Sequence, residues 1–270
     1  MDLPPLSKYT VPVAEGHLAF RHRPGDGPCL ALVPGTFYDS SQWAETIPHL
    51  DPALELILIE VRGHGESWPP PSNGSIELFA EDMLRVADAA GVDRFYAGGH
   101  SLGGMIALEA GRIGPERVNA VISIEGWTNQ AAARESFGQV MIGTLSPTQR
   151  STREEMRARA TAHWTQTQKD EFLRIWHRWD GYEFLSSTDL PILEIYGDRG
   201  RERPSLETLR IPRRPNIEMI WFANASHSLP LERPKELAQA ISKFIRTQEG
   251  THVGRRCPAS PASPPTDAHP

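Results

Sequence analysis

Short apolar runs alternate along the chain with segments in which apolar residues recur every three or four positions. The runs predict six strands, at Leu30–Val33, Leu56–Ile59, Phe95–Ala97, Val118–Ile124, Ile192–Tyr196 and Glu218–Phe222. The recurring apolar residues predict helices at Ile76–Ala90 (capped by Ser75 and ended by Gly91), Met105–Ile113 and Pro234–Arg246. This alternation favours a mostly parallel sheet with helices on both faces. An antiparallel hairpin of Tyr9–Val13 and His17–His22 is expected at one edge.

One long segment breaks this alternation. Between Ile124 and Ile192 the pattern contains helix signals but no strand. Capping boxes predict that two helices begin there, at Thr152 with Glu155 and at Thr167 with Asp170. The second helix is expected to carry one apolar stripe of Phe172, Ile175, Trp176 and Trp179. We interpret residues 127–188 as a helical lid segment, inserted after the sixth strand of a doubly wound α/β core that comprises residues 1–126 and 189–248.

Composition narrows the class of protein. The 270 residues are 39% hydrophobic and 23% charged, which indicates a folded core. A formal net charge of −6 argues against nucleic-acid or membrane partners. The N-terminus resembles no secretory signal, and two cysteines form no disulfide or metal framework, so we expect a cytoplasmic protein without metal or cofactor. Residues 249–270 are rich in proline and predict a disordered tail; the oligomeric state stays open.

A candidate nucleophile lies in the sequence Gly99-His100-Ser101-Leu102-Gly103, which matches G-x-S-x-G. It follows a predicted strand and opens a predicted helix, the context that holds a serine on a strained turn at the edge of a sheet. A serine hydroxyl needs a base, because it scarcely ionises at neutral pH. Among ten histidines, His227 follows the last predicted strand and is the best candidate.

With these motifs, the chain resembles the α/β-hydrolase fold superfamily over residues 10–246. Pro34-Gly35-Thr36 stands where that family usually has His-Gly-x, and Arg62-Gly63-His64-Gly65-Glu66-Ser67 resembles its structural R-G-x-G-x-S turn. The resemblance implies an oxyanion hole formed by the backbone N–H groups of Thr36 and Leu102. Pro34 lacks only its own N–H, so this departure leaves the hole intact.

The third member of a catalytic triad is less clear from the sequence. In most relatives the acid follows the seventh strand in a G-x-x-D arrangement. Here that strand is Ile192–Tyr196, and Gly200 occupies the position of the acid. Asp198 lies two residues earlier, while Glu125 ends the preceding strand. Resemblance to zearalenone lactonases and cofactor-free quinolone dioxygenases implies that an acid at the end of the Val118–Ile124 strand can also orient the histidine. We favour Glu125, with Asp198 as the alternative.

Aromatic residues in and beside the lid segment predict a small apolar or aromatic substrate. The candidate contacts are Phe37, Trp127, His163, Trp164, Trp176 and Trp179. The favoured function is hydrolysis of an ester or lactone of such a compound through an acyl-enzyme. The alternatives are a cofactor-free dioxygenase acting on a hydroxyquinolone-type heteroaromatic, a hydrolase of carbon–carbon bonds, and a non-catalytic hydrolase-like receptor.

Overall fold

The structure, a computed structural model, describes residues 6–137 and 144–253. Its eight strands are β1 (Ser7–Val13), β2 (Gly16–Arg23), β3 (Cys29–Val33), β4 (Glu55–Ile59), β5 (Phe95–His100), β6 (Val118–Ile124), β7 (Ile192–Gly197) and β8 (Ile217–Phe222). They form one sheet in the order β1-β2-β4-β3-β5-β6-β7-β8. The β1–β2 and β2–β4 pairs are antiparallel and the other pairs are parallel. The doubly wound α/β prediction is therefore confirmed, including the hairpin at the edge.

Helices cover both faces of this sheet. They are α1 (Ile76–Ala89), α2 (Leu102–Ile113), α3 (Gln130–Phe137), α4 (Pro147–Ala160), α5 (Gln166–Phe172), α6 (Tyr182–Ser187), α7 (Leu229–Glu232) and α8 (Pro234–Val253). Helices α1 and α2 pack with one face of the sheet in a single buried cluster, and α8 packs with the other. Strands β3 and β5 are buried along their whole length, as expected for central strands covered on both sides.

Helices α3–α6 lie between β6 and β7, within the lid segment, but two of them begin earlier than predicted. Helix α4 follows a capping box of Ser146 and Gln149, and Thr152 lies inside the helix, where its hydroxyl donates to the carbonyl of Thr148. Helix α5 follows a capping box of Thr165 and Gln168. In both helices a glutamine performs the role that the sequence interpretation gave to an acid.

The predicted apolar stripe on the second helix of the lid segment is also wrong. Helix α5 ends at Phe172, and Ile175–Arg178 forms a separate 3-10 turn. Trp179 then adopts an extended backbone conformation. The change of helix type breaks the 3.6-residue period on which the stripe rested.

The last helix extends further than the sequence pattern predicts. Helix α8 continues through Val253 and so includes the first five residues, 249–253, of the predicted tail. The Tyr96 hydroxyl donates to Glu249 at 2.6 Å, which ties this part of the helix to β5. The remainder of the predicted tail, residues 254–270, lies outside the described residues.

Candidate active site

Ser101 lies on a sharp turn between β5 and α2. Its backbone has a φ of +54°, which is unfavourable for a residue with a side chain and is maintained by the surrounding structure. Close approach of the neighbouring backbone requires the flanking glycines. A Cβ on Gly99 would lie 2.3 Å from the backbone of Gly103, and one on Gly103 would lie 2.1 Å from the carbonyl oxygen of Val33. The predicted strand–turn–helix context of Ser101 is therefore present.

His227 links Ser101 to Glu125. Its Nε2 lies 3.0 Å from Ser101 Oγ, and its Nδ1 lies 3.0 Å from Glu125 Oε2. Ser101 follows β5, Glu125 follows β6, and His227 lies in the loop after β8, so all three come from the carboxyl edge of the sheet. The structure thus brings together the three residues that the sequence interpretation favoured.

Glu125 is fully buried and densely bonded. Its backbone has a φ of +55°, and its N–H still donates to the carbonyl of Ile195 at 2.8 Å. The Oε1 atom accepts from the Gly197 N–H at 2.6 Å and from Arg199 Nη1 at 2.9 Å, while Oε2 accepts from Arg199 Nη2 at 2.6 Å. One carboxylate therefore orients His227 and pairs with a buried guanidinium.

Asp198, the alternative acid, makes different contacts. Its Oδ1 accepts from the backbone N–H groups of Gly200 at 2.9 Å and Asn224 at 2.7 Å. Its Oδ2 lies 3.7 Å from Arg203. These bonds stabilise the loop after β7 and tie it to the loop after β8, whereas His227 is bonded to Glu125.

Charge states follow from these contacts. Burial raises the pKa of Glu125, but the Arg199 cation and the bond from His227 outweigh burial and hold that pKa at about 2. Burial lowers the pKa of His227, and the Arg199 charge adds to this, while Glu125 acts in the opposite direction. At neutral pH, Glu125 is ionised and His227 is neutral. The hydrogen-bond pattern then assigns the proton to Nδ1, so that Nε2 can accept from the Ser101 hydroxyl.

The loop that carries Thr36 approaches Ser101 from β3. Its next residue, Phe37, has a φ of +65° and donates its N–H to His64 Nε2 at 3.1 Å. Burial lowers the pKa of His64 to about 4, so the ring is neutral, and its Nδ1–H donates to the Arg62 carbonyl. Within the described part of the chain, no hydrogen bond uses the N–H groups of Thr36 or Leu102. Through His64, which accepts the hydrogen bond from Phe37, the R-G-x-G-x-S turn thus stabilises the candidate oxyanion loop.

A second set of hydrogen bonds connects this loop to the backbone of His227. The Gly35 N–H donates to Gln42 Oε1 at 2.8 Å, and Gln42 Nε2 lies 3.1 Å from His100 Nδ1. His100 Nε2 lies 2.7 Å from the carbonyl of His227. Burial lowers the pKa of His100 to about 3, so this neutral ring accepts from Gln42 and donates to His227. These hydrogen bonds therefore fix the candidate oxyanion loop relative to the loop that carries His227.

The six predicted substrate contacts separate into three groups. Trp127 stacks on His227, with ring centroids 5.4 Å apart and planes 4° apart. Trp164 donates to the carbonyl of Gly63, and Trp179 donates to Glu109 at 3.0 Å, so both indoles are bonded to the core. The remaining three pack on other aromatic rings: Phe37 packs on His64, exposed His163 packs on Trp68, and half-buried Trp176 packs on His177. Only Trp127 of the six has a ring contact with the Ser101–His227–Glu125 group in the described structure.

Sequence reasoning missed the cations of this site. Arg199 pairs with Glu125, and Arg157 of α4 donates to the carbonyl of Thr36 at 2.9 Å while its guanidinium lies 5.1 Å from the centre of the Phe37 ring. Neither arginine belongs to a motif, and their contacts depend on how α4 and the loop after β7 pack, so the sequence pattern contains no signal that assigns them. Among the described residues, no three His, Cys, Asp or Glu side chains gather as a metal-binding group. No helix of the described ranges has both the length and the apolar character needed to span a membrane.

Comparison with known proteins agrees with this architecture. A family model described as alpha/beta hydrolase fold matches residues 28–177, and the chain belongs to that family. A protein named "Putative carbamate hydrolase RutD" from Azorhizobium caulinodans is 35% identical over 103 residues, which cover 38% of this chain and 39% of that protein. The chain matches this protein and two similar relatives of the same name over about two fifths of their own length.

Solved structures resemble the chain over most of its length. A membrane phospholipase A, described as a bacterial virulence factor, has a TM-score of 0.75 at 22% identity, covering 90% of this chain and 87% of that one. The enol-lactonase from Burkholderia xenovorans LB400 has a TM-score of 0.73 at 18% identity, covering 88% of this chain and 100% of that one. At such identities the similarity is one of fold.

Proposed function

We propose that this chain is a serine hydrolase that cleaves an ester or lactone of a small compound through an acyl-enzyme. The observation that carries this proposal is the continuous hydrogen-bonded series from Glu125 through His227 to Ser101, with both links at 3.0 Å. A nucleophile bonded to a base that is itself oriented by a carboxylate is the arrangement needed for acyl transfer.

The proposed reaction begins with attack of Ser101 Oγ on the substrate carbonyl. His227 Nε2 accepts the hydroxyl proton as the bond forms, and the ionised Glu125 stabilises the resulting imidazolium. The backbone N–H groups of Thr36 and Leu102 then donate to the oxyanion of the tetrahedral intermediate. Collapse of the intermediate expels the alkoxide, which receives the proton from His227. Water, activated by the same imidazole, hydrolyses the acyl-enzyme and restores Ser101.

Two features support the substrate class. The names of the similar proteins refer to a lactonase, a phospholipase and a carbamate hydrolase, all of them hydrolases. Trp127 places a large apolar surface against His227, which suits an apolar or aromatic group close to the scissile bond. We therefore favour a small ester or lactone with such a group.

Labelling with a fluorophosphonate tests this proposal, because only an activated serine forms a covalent adduct. Mass spectrometry of the wild-type protein should show one adduct, located on Ser101, and Ser101→Ala should show none while retaining the wild-type circular dichroism spectrum. A screen of short aryl esters and lactones should give turnover that the same variant lacks. Oxygen consumption with a hydroxyquinolone, without labelling of Ser101, would instead support the dioxygenase alternative.

A further inference from the structure

Helix α4 presents three long polar side chains at intervals of four residues, Gln149, Arg153 and Arg157, which places them on one face. The two ends of this row are bonded to two different elements next to the candidate active site. Gln149 Nε2 donates to the carbonyl of Leu231 at 3.4 Å, four residues after His227. Arg157 Nη1 donates to the carbonyl of Thr36 in the candidate oxyanion loop. Arg153 therefore lies on α4 between a residue bonded to α7, shortly after His227, and a residue bonded to the candidate oxyanion loop.

The Arg153 guanidinium carries a donor that finds no hydrogen-bond acceptor among the described residues. Its Nε atom is shielded from solvent, and within residues 6–137 and 144–253 it has no hydrogen-bond partner. No Asp or Glu of the described residues forms an ion pair with it, whereas Arg159, six residues further along the helix, pairs with Asp39. A shielded donor on a cation is costly unless an acceptor reaches it.

The charge of Arg153 acts on the site itself. Burial is the main cause that lowers the pKa of His227, and Arg153 adds to the lowering. Burial and then the charge of His227 lower the pKa of His100, and Arg153 again adds to the lowering. A cation that disfavours the imidazolium opposes the step in which His227 accepts the serine proton. Neutralising Arg153 with a bound anion would remove this opposition.

We propose that Arg153 is the anchor of an anion subsite and that the substrate is an ester or lactone that carries a carboxylate. This inference rests on the proposed hydrolase function and deepens it. The planar guanidinium matches a carboxylate in two parallel hydrogen bonds. Binding there offsets the charge of Arg153 and leaves the scissile carbonyl at Ser101, so the anion contributes both to affinity and to the basicity of His227.

Two esters that differ only in charge test this inference. One is 4-nitrophenyl hemiglutarate, and the other is the corresponding amide, 4-nitrophenyl 4-carbamoylbutanoate. We expect wild-type kcat/KM to favour the carboxylate by about tenfold or more, the size of a charge-assisted hydrogen bond. Arg153→Met should remove this preference and Arg153→Lys should retain part of it. The control Arg178→Met removes an exposed charge from the 3-10 turn of the lid segment and should retain it fully.

A binding measurement separates failure of this inference from failure of the hydrolase proposal. Calorimetry with 4-phenylbutyrate and 4-phenylbutyramide needs no turnover, and wild type should prefer the carboxylate whereas Arg153→Met should not. If Ser101 is labelled and esters are cleaved but neither assay shows a preference for the carboxylate, the anion subsite is wrong and the hydrolase proposal stands. If no ester is cleaved and Ser101 is not labelled, the hydrolase proposal fails and the calorimetry alone decides about Arg153. Equal affinity, binding of neither compound, or a preference that survives in Arg153→Met contradicts the subsite.

Discussion

The guanidinium of Arg199 contacts both carboxylate oxygens of Glu125, at 2.9 and 2.6 Å, and neither side chain has any surface exposed to solvent. The carboxylate that orients His227 is thus shared with a fixed positive charge. Removing one partner of such a buried pair leaves the other charge uncompensated. This relationship sets the charge of the candidate triad acid and influences the basicity of the candidate base.

Arg199→Met is expected to move the acidic limb of the pH–rate profile to higher pH. The reaction needs neutral His227, and the Arg199 charge lowers the pKa of that imidazole, after burial as the main cause. Without the cation the pKa of His227 rises, so the protonated, inactive form persists to higher pH. The measurement is kcat/KM for an aryl ester between pH 5 and 9.

Two further variants control that experiment. Arg199→Lys retains a positive charge and should keep the acidic limb near its wild-type position. Arg203→Met removes an exposed arginine of the same loop, 3.7 Å from Asp198, and should leave the profile unchanged. An Arg199→Met profile that coincides with the wild-type profile would show that this cation does not tune His227.

Glu194 on β7 provides a test of stability that is independent of catalysis. Burial is the main cause and raises its pKa to about 8, while the side chains of Ser123 and Tyr196 act in the opposite direction without outweighing it. The folded state therefore holds a proton that the unfolded chain releases near its ordinary pKa of about 4.3. The stability that this proton contributes is complete below that value and is lost as the pH rises through about 8.

Glu194→Gln should accordingly flatten the dependence of stability on pH. Urea denaturation at pH 5 and pH 9 should show a smaller loss of stability in the variant than in the wild-type protein. Glu218→Gln, an exposed glutamate on neighbouring β8, is the matched control and should behave as wild type. Parallel losses in Glu194→Gln and wild type would contradict the assignment of a buried, protonated carboxyl.

Truncation tests the boundary of the last helix. Removal of residues 254–270, which contain five prolines and no aromatic residue, should leave Tm and turnover unchanged because this segment has little apolar area to bury. Truncation after Gln248 also removes Glu249, the acceptor of the Tyr96 hydroxyl, and should lower Tm. Thermal unfolding followed by circular dichroism compares the two. A large fall in Tm with the shorter deletion would mean that the terminal segment contributes to the fold.

Much of the fold could be predicted because strand and helix periods are local properties of the sequence. The six apolar runs all became strands, and Ser75 caps α1 as the pattern indicated. The helix boundaries around α4 and α5 were wrong because several residues near each start had capping character, and glutamine competed successfully with the acids. Local patterns rank such alternatives poorly.

The candidate site was predictable where it follows from the order of the strands. Ser101, His227 and Glu125 each follow a strand at the same edge of the sheet, so their proximity depends on topology. Arg153 and Arg199 could not be assigned in this way, since their positions depend on how α4 and the loop after β7 pack against that edge. The roles of the predicted aromatic contacts likewise depend on packing, and of the four lid tryptophans only Trp127 contacts His227.

Comparison of Glu125→Gln with Asp198→Asn tests the central claim, that Glu125 orients His227 for attack by Ser101. Each variant changes one carboxylate to its amide. Glu125→Gln should lower kcat for an aryl ester on the order of ten-thousandfold, as happens when a triad acid becomes an amide, and should slow fluorophosphonate labelling of Ser101 in parallel. Asp198→Asn, which alters hydrogen bonds to Gly200 and Asn224 and the ion pair with Arg203, should cost about tenfold or less. The opposite order, with folded Glu125→Gln retaining activity and Asp198→Asn losing it, would contradict the account.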